Sequence, residues 1–428
     1  MNNVLLCTVG GSHQPILTAI EELRPAHVLF FCSGQDAATG RPGSIEMITG
    51  KGKPVTVRRG PDTEQLPNIP TLVELDAAQF TTCIVPPDDL DDCVAQMLEA
   101  VTTVQRQYPE ALLVADYTGG TKTMTAALVM VALEHDAIEL QLVTGARSDL
   151  LKVHDGSQAG VAVSAEGIRL RRAMAPFLAA WERFAYGEAV DGLMALRPPR
   201  LAPLRVDLQI ARDLSRAFDA WDRFDHTAAL RDLEVYRARL GQADGRLTAG
   251  LFAALKALTG SDDHRAPARL WDLWLNAQRR ARQGRYDDAV ARGYRLLEWT
   301  AQWLLDDIGI ETGNVTDEQV PPGAHLPVDS EGRRRAGLWQ AWSLAAHHLG
   351  GPVQQFMDAQ GKRLLNHLQT RNASILAHGE TPIARADWQG FADWLEEALL
   401  PLLKDQAQRR GLKQLAPQLP TVPFWQSR

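Results

Sequence analysis

The sequence has few cysteines, no long apolar run and no excess of positive charge, and each absence excludes a class of protein. Its 428 residues include four cysteines, all within the first hundred and none at metal-ligand spacing or in a disulfide pattern. We therefore expect no bound metal, no cofactor, and buried free thiols in a reducing cytoplasm. No apolar stretch approaches the roughly 20 residues of a membrane-spanning helix, and the first residues lack the basic region of a signal peptide. The prediction is a cytoplasmic protein with no membrane partner.

The charge balance limits how this protein can bind a polyanion. The formal net charge is −7, so no global positive field exists to hold a long nucleic acid, and any such contact must be local or brief. Hydrophobic residues make up 45% and charged residues 23%, which is ordinary for a globular protein. The length is sufficient for two or three domains.

The hydrophobic pattern divides the chain into two kinds of structure. Apolar runs predict five strands, at 4–9, 27–32, 80–85, 111–116 and 138–143, with helical patterns between most of them. Continuous apolar strands alternating with helices favour a mostly parallel sheet covered on both faces. One or two further short strands are expected within 150–168. From residue 169 onward the pattern is almost entirely helical, apart from prolines at 198–203 and a long loop at 309–333.

Three polar loops follow predicted strands and would meet at one edge of the sheet. The longest is the run from Thr118 to Lys122, in which two glycines allow a close approach to the backbone and a lysine begins a helix. Loops after the first and second strands would lie beside it, because the carboxyl ends of parallel strands share an edge. The spacing matches neither a P-loop nor a dinucleotide fingerprint. The candidate ligand-binding residues are Gly11, Ser12, His13, Gln14, Ser33, Gly34, Thr118, Gly119, Gly120, Thr121 and Lys122.

The run from Asp116 to Met124 resembles the D-x-T-G-G-T-K-x-M signature of CARF domains, the Rossmann-like sensors of CRISPR systems. This resemblance implies that the ligand is a cyclic oligoadenylate, made when a type III complex meets foreign RNA. It also implies a homodimer with the ligand on its two-fold axis. Rings of four and six units both suit such an axis, so the ring size stays open.

A second constellation lies near the C-terminus, where Arg371 and His378 are seven residues apart. At about 100° per residue, seven residues bring two side chains to within roughly 20° of one helix face. Histidine can move protons near neutral pH, and arginine can stabilise a charged phosphorane without deprotonating. Because RNA supplies its own 2′-hydroxyl nucleophile, such a pair could cut RNA without a metal. Two pairs facing each other across a dimer axis would supply two of each group.

This R-x6-H run in a helical C-terminal region resembles the motif of HEPN ribonucleases, in which asparagine often follows the arginine, as Asn372 does here. With the N-terminal signature, it makes the chain similar to the CARF–HEPN effectors of type III CRISPR systems. The resemblance implies a sensor domain at 1–168, a helical connecting region at 169–262 and a ribonuclease domain at 263–428. The implied activity is cleavage of single-stranded RNA, with Arg371, Asn372 and His378 as catalytic residues.

Two further interpretations concern the helical half. The first is a non-catalytic regulator, in which the sensor controls a helical interaction module; the Arg371 and His378 pair is the feature that argues against it. The second concerns six arginines between 275 and 305. Because acidic residues are interleaved with them, we expect a solvated helix face rather than a stripe that guides RNA. The arginines are Arg279, Arg280, Arg282, Arg285, Arg292 and Arg295.

Overall fold

The computed structural model describes residues 3–50, 55–59, 62–144, 158–261, 263–372 and 380–426, with the backbone only at 55–66 and 368–372. The chain forms two compact units, Met1–Arg171 and Arg172–Arg428. The first is an α/β unit and the second is helical, as the hydrophobic pattern predicts. No helix among these residues is long and apolar enough to span a membrane.

The first unit contains all the strands that are described. In chain order its elements are β1 (Asn3–Thr8), α1 (Gln14–Leu23), β2 (His27–Cys32), α2 (Glu46–Thr49), β3 (Val55–Arg59), β4 (Asp62–Leu66), α3 (Ile69–Leu72), β5 (Phe80–Ile84), α4 (Leu90–Gln107), β6 (Leu112–Asp116), α5 (Lys122–Glu134), β7 (Ile138–Thr144) and β8 (Ala159–Val163). The prediction of strands within 150–168 is confirmed for β8, whereas residues 150–157 of that range lie outside the described residues.

Six of these strands form one sheet in the order β5-β2-β1-β6-β7-β8. All neighbours pair in parallel except β7 and β8, which are antiparallel. The chain builds outward from β1 through β2 to β5 and then crosses back to β6 on the other side of β1. The strand order therefore reverses between β1 and β6, and ligands of such sheets bind at this kind of reversal.

The strands bury side chains on both faces, which is why they appear as continuous apolar runs in the sequence. Along β1, Val4 and Leu6 pack with α4 and α5, and Leu5 and Cys7 pack with α1 and α2. All four side chains are buried. This two-residue alternation places one hydrophobic layer above the sheet and one below it.

The second unit consists of helices joined by turns and one long loop. Its helices are α6 (Glu166–Ala179, which begins at the end of the first unit), α7 (Tyr186–Ala195), α8 (Ala202–Asp222), α9 (His226–Glu234), α10 (Arg237–Ala243), α11 (Gly245–Thr259), α12 (Arg265–Arg282), α13 (Tyr286–Asp306), α14 (Leu338–Leu349), α15 (Gly351–Asn372), α16 (Arg385–Trp394) and α17 (Leu400–Arg409). Short 3-10 turns lie at Ala180–Arg183 and Asp317–Gln319, and a π-helical turn at Leu395–Leu399 joins α16 to α17. Pro203 lies in the first turn of α8, where its missing N–H costs nothing.

The expectation of a solvated arginine face on α12 and α13 is wrong for Arg279 and Arg280, both of which are buried. The Arg279 Nε donates to Asp222 on α8 over 2.7 Å, and Arg280 forms an ion pair with the same carboxylate. Asp272, also buried, lies 3.4 Å from the Arg279 guanidinium and 2.9 Å from His226 Nε2. These side chains join α8 and α9 to α12.

Candidate functional site

The first candidate site lies at the carboxyl edge of the sheet, where the loops after β1 and β6 run side by side. The two strands pair in parallel with Cys7 opposite Asp116, so both chains leave the sheet at the same level. The loop after β1 contains Gly11, Ser12 and His13, and the loop after β6 contains Thr118, Gly119 and Gly120. The structure thus brings two of the three predicted loops together at the reversal of the strand order.

The glycines of these loops serve first to bring the two backbones together. A Cβ on Gly10 would lie 2.6 Å from the Gly120 nitrogen, and one on Gly119 would lie 2.6 Å from the Thr8 carbonyl oxygen. Gly120 also has a φ of +92°, a backbone conformation that residues other than glycine rarely adopt. Larger residues would therefore separate the loops, so close packing within the protein explains these glycines before any ligand is considered.

Hydrogen bonds fix the β6 loop on both sides. The Thr118 N–H donates to Asp116 Oδ1 over 2.9 Å, and the Val143 N–H donates to the Thr118 hydroxyl over 2.7 Å. From β1, the Thr8 hydroxyl donates to the Gly119 carbonyl over 2.5 Å. Burial raises the pKa of Asp116, although the hydrogen bonds that it accepts act in the opposite direction.

The surface of this crevice offers hydrogen-bond donors and a positive charge. Within the described part of the chain, no acceptor pairs with the backbone N–H groups of residues 10–12 or 119–123. Lys122 begins α5 and is exposed, and its ammonium has no partner among the same residues. Thr121 caps α5 through a 3.2 Å bond from the Met124 N–H and donates to the Pro87 carbonyl over 2.7 Å. Free N–H groups, a helix N-terminus and a lysine are together suited to an anion.

The remaining predicted ligand residues fall into two groups. Gly11 and Ser12 are exposed, whereas His13 is buried at the start of α1 and Gln14 is half-buried. Ser33 uses its hydroxyl within the protein. It accepts from the Ser44 N–H over 2.9 Å, and the Ser44 hydroxyl accepts from the Ser33 N–H over 2.9 Å. This reciprocal pair closes the loop that begins at Ser33 and Gly34 and joins residues 11 positions apart, a contact that no local sequence pattern indicates.

The second candidate site lies at the end of α15. The helix extends through Arg371 and Asn372, so the backbone of both residues is helical. His378 lies outside the described residues, and the predicted alignment of the Arg371 and His378 side chains stays a prediction. The chain is described again from Glu380, and beyond it the Ile383 N–H donates to both Asp287 carboxylate oxygens, at 3.2 and 3.3 Å. This bond ties the chain beyond the motif to the first turn of α13.

His367, one turn before Arg371, is a packing residue. Its ring lies 5.0 Å from that of Phe391 and 4.7 Å from that of Trp394, centroid to centroid. Burial lowers its pKa, and the charge of Arg363 lowers it further. The ring is thus favoured in its neutral form between aromatic neighbours, where it joins α15 to α16.

The fold and the two candidate sites define a class of protein: an α/β unit with a polar crevice at its topological switch, followed by a helical unit that carries an R-x6-H run. Residues 261–400 match the family model described as the Csm6 HEPN domain. None of the curated proteins compared with the chain matches it. The family match covers the helical part alone.

Comparison with solved structures extends the likeness in fold to nearly the whole chain. Csm6 of Enterococcus italicus, bound to cyclic hexa-2′-fluoro-hexa-dAMP, has a TM-score of 0.54 and 11% sequence identity, and the match covers 96% of this chain and 99% of that chain. Can2 from Sulfobacillus thermosulfidooxidans, in complex with cyclic tetra-adenylate, has a TM-score of 0.25 and 13% identity, over 57% of this chain and 69% of that chain; a score this low carries no argument. The predicted resemblance to CARF–HEPN effectors is confirmed: residues 261–400 match the Csm6 HEPN model, and the fold is similar to that of a Csm6.

Proposed function

We propose that this protein is a cytoplasmic endoribonuclease of type III CRISPR defence that a cyclic oligoadenylate switches on. The observation that carries the proposal is the HEPN match over 261–400, because that range contains Arg371, Asn372 and His378 at the expected spacing. The sensor half of the proposal is supported by the crevice between the β1 and β6 loops. The fold shared with a Csm6 bound to a cyclic adenylate analogue is consistent with this assignment.

The ligand would bind the crevice through its phosphates. Each phosphate of a cyclic oligoadenylate carries a negative charge. The N–H groups of residues 119–123, which have no acceptor among the described residues, lie at the N-terminus of α5, where the helix dipole favours anions. Lys122 would add a full positive charge, and the exposed loop at Gly11 and Ser12 would close the other side. A homodimer would place two such crevices about one axis, which suits a ring with an even number of units.

Cleavage would follow from the chemistry of RNA itself. The 2′-hydroxyl attacks the adjacent phosphorus, the bond to the 5′-oxygen breaks, and a 2′,3′-cyclic phosphate and a 5′-hydroxyl result. In this scheme Arg371 stabilises the charge of the phosphorane, His378 positions the 2′-hydroxyl or moves a proton, and Asn372 orients the pair. Protons and charge are then handled by side chains, and no step requires a metal.

The decisive experiment is cleavage of labelled single-stranded RNA in EDTA, with and without cyclic tetra-adenylate and cyclic hexa-adenylate. We expect cleavage that one of the rings stimulates, products ending in 2′,3′-cyclic phosphate and 5′-hydroxyl, and no cleavage of the matching DNA. Ring binding without cleavage under any condition would instead support the non-catalytic regulator. A requirement for added Mg²⁺ would overturn the mechanism while leaving the sensor assignment in place.

A further inference from the structure

We propose that Asp116 and Thr8 are positioning residues of the crevice, which hold the β6 loop in the shape that presents its N–H groups to the ligand. Neither side chain would touch the ligand. This inference rests on the proposed function, because it assumes that the crevice binds a cyclic oligoadenylate. It adds two buried residues, one from each neighbouring strand, to a site that is otherwise built from loop atoms.

Asp116 is a buried carboxylate that the proposed chemistry leaves unused. The residue is 3% exposed, and no cationic side chain among the described residues pairs with its carboxylate. An unpaired carboxylate is costly to bury, so its partners are informative. They are the Thr118 N–H at 2.9 Å, the Thr118 hydroxyl, and the Gln141 amide at 3.4 Å. The shorter bond turns the chain out of β6 directly before the two glycines.

Thr8 fixes the other end of the same turn. Thr8 is completely buried on β1, and its hydroxyl donates to the Gly119 carbonyl over 2.5 Å. A Cβ on Gly120 would lie 2.8 Å from the Thr8 Cβ, so the threonine also forms the floor on which the loop rests. Because the Gly119 carbonyl is directed toward Thr8, the peptide groups that follow are fixed in orientation.

These bonds matter because they order the loop before the ligand arrives. A loop already held in its bound shape loses little conformational entropy on binding, whereas a loose loop must be ordered by the ligand. The carboxylate and the hydroxyl should therefore act on affinity through the shape of the loop. The negative charge of Asp116 cannot itself attract a phosphate, which separates a positioning role from a charge effect.

The test compares two matched pairs of variants. Asp116→Asn keeps an oxygen that can accept the Thr118 N–H and removes the charge, whereas Asp116→Ala removes both. Thr8→Ser keeps the donor, and Thr8→Val keeps the shape without it. Asp136→Ala, which removes an exposed carboxylate in the turn after α5, is the control. Calorimetry would give dissociation constants for cyclic tetra-adenylate and cyclic hexa-adenylate, thermal unfolding would report stability, and amide exchange of residues 117–123 would be followed without ligand.

We expect Asp116→Ala and Thr8→Val to weaken ring binding about 10- to 100-fold, as the loss of a buried hydrogen bond with a strong acceptor or donor does. Loop exchange should become faster, and Asp116→Asn and Thr8→Ser should bind close to wild type. Unchanged affinity in the Ala and Val variants would overturn the inference, as would an Asn variant that binds as weakly as Ala. If neither ring binds the wild type, the proposed function itself fails and this inference fails with it.

Discussion

At the scale of single residues, Lys122 is the clearest test of the crevice. It is exposed at the start of α5, with no partner among the described residues, so its charge is free to meet an anion. Lys122→Ala should weaken activator binding about tenfold, a usual value for one charge-assisted contact, and Lys122→Arg should retain most of the affinity. Arg106→Ala, an exposed cation on α4, serves as the control. Equal affinity of Lys122→Ala and wild type, measured by calorimetry, would show that the crevice is assigned wrongly.

The second prediction concerns how the contribution of Asp116 to folding stability depends on pH. Burial raises its pKa above the unfolded value of about 3.9, so the charged form is disfavoured in the folded protein. Its ionisation therefore costs stability above the folded pKa, and the cost disappears as the pH falls toward the unfolded value. Relative to wild type, Asp116→Asn should gain stability at neutral pH and lose this advantage toward about pH 4. Tm of both proteins should be measured across this range. A difference in Tm between wild type and Asp116→Asn that does not change with pH would contradict the prediction.

The third prediction concerns the proposed catalytic pair, Arg371 and His378. Removing one group that stabilises a transition-state charge typically costs about 10²–10³-fold in rate. Arg371→Ala and His378→Ala should each fall at least that far in single-turnover cleavage of RNA with saturating activator, while ring binding is retained. Because the groups act together, the double variant should lose little more. Wild-type rates in either variant would favour the non-catalytic regulator.

At the scale of elements, the five predicted strands agree with the structure to within one residue at each end. Apolar runs define them because the sheet is buried on both faces. The hairpin of β3 and β4 was not predicted, since Val55–Arg59 and Asp62–Leu66 contain many polar residues and carry no clear apolar period. It pairs as a separate two-stranded sheet.

The position of the candidate crevice could be predicted for a similar reason, whereas the hydrogen bonds that hold its loops could not. Strand ends that share one edge place the loops together, and this requires only the order of strands and helices. The bonds from Thr8 to Gly119 and from Ser33 to Ser44 depend on contacts between segments that are separate in the sequence. The buried Arg279 was likewise missed, because its partner Asp222 lies 57 residues away on another helix.

The fourth prediction concerns the buried ion cluster of Asp222, Arg279 and Arg280. Asp222 accepts from Arg279 and Arg280 and from the Asn276 amide at 2.9 Å. Asp222→Ala would leave two buried guanidinium groups without this partner, and breaking a buried pair in this way typically costs about 3–5 kcal/mol. Tm of the helical unit should therefore fall by many degrees. Asp393→Ala on α16, where the carboxylate meets the Gln389 amide at 2.7 Å in an exposed position, should leave it nearly unchanged. Comparable Tm values for the two variants would mean that the cluster does not hold α8 to α12.

At the scale of the whole molecule, one Arg–His pair is too small a set of groups for efficient cleavage. It supplies one cation and one proton carrier, whereas two pairs facing each other across a two-fold axis would supply two of each. The expected ring ligand also has two-fold symmetry. We therefore predict a C2 homodimer, and light scattering should give twice the chain mass of 47.1 kDa at micromolar concentration. A strict monomer with full ribonuclease activity would contradict this.

A shared catalytic site makes a sharper claim than dimerisation, because it predicts how a mixed dimer behaves. Suppose that one subunit is wild type and its partner carries both Arg371→Ala and His378→Ala, with a different affinity tag on each so that only the mixed dimer is isolated. If each subunit cut RNA independently, the mixed dimer would keep about half of the wild-type rate. If the two pairs form one site, loss of one pair removes groups that act together, and the rate should fall far below half. A dimer of two differently tagged wild-type subunits controls for the tags, and one with an Asp393→Ala subunit controls for substitution itself. A rate close to half would show that the subunits cut separately, whatever their oligomeric state.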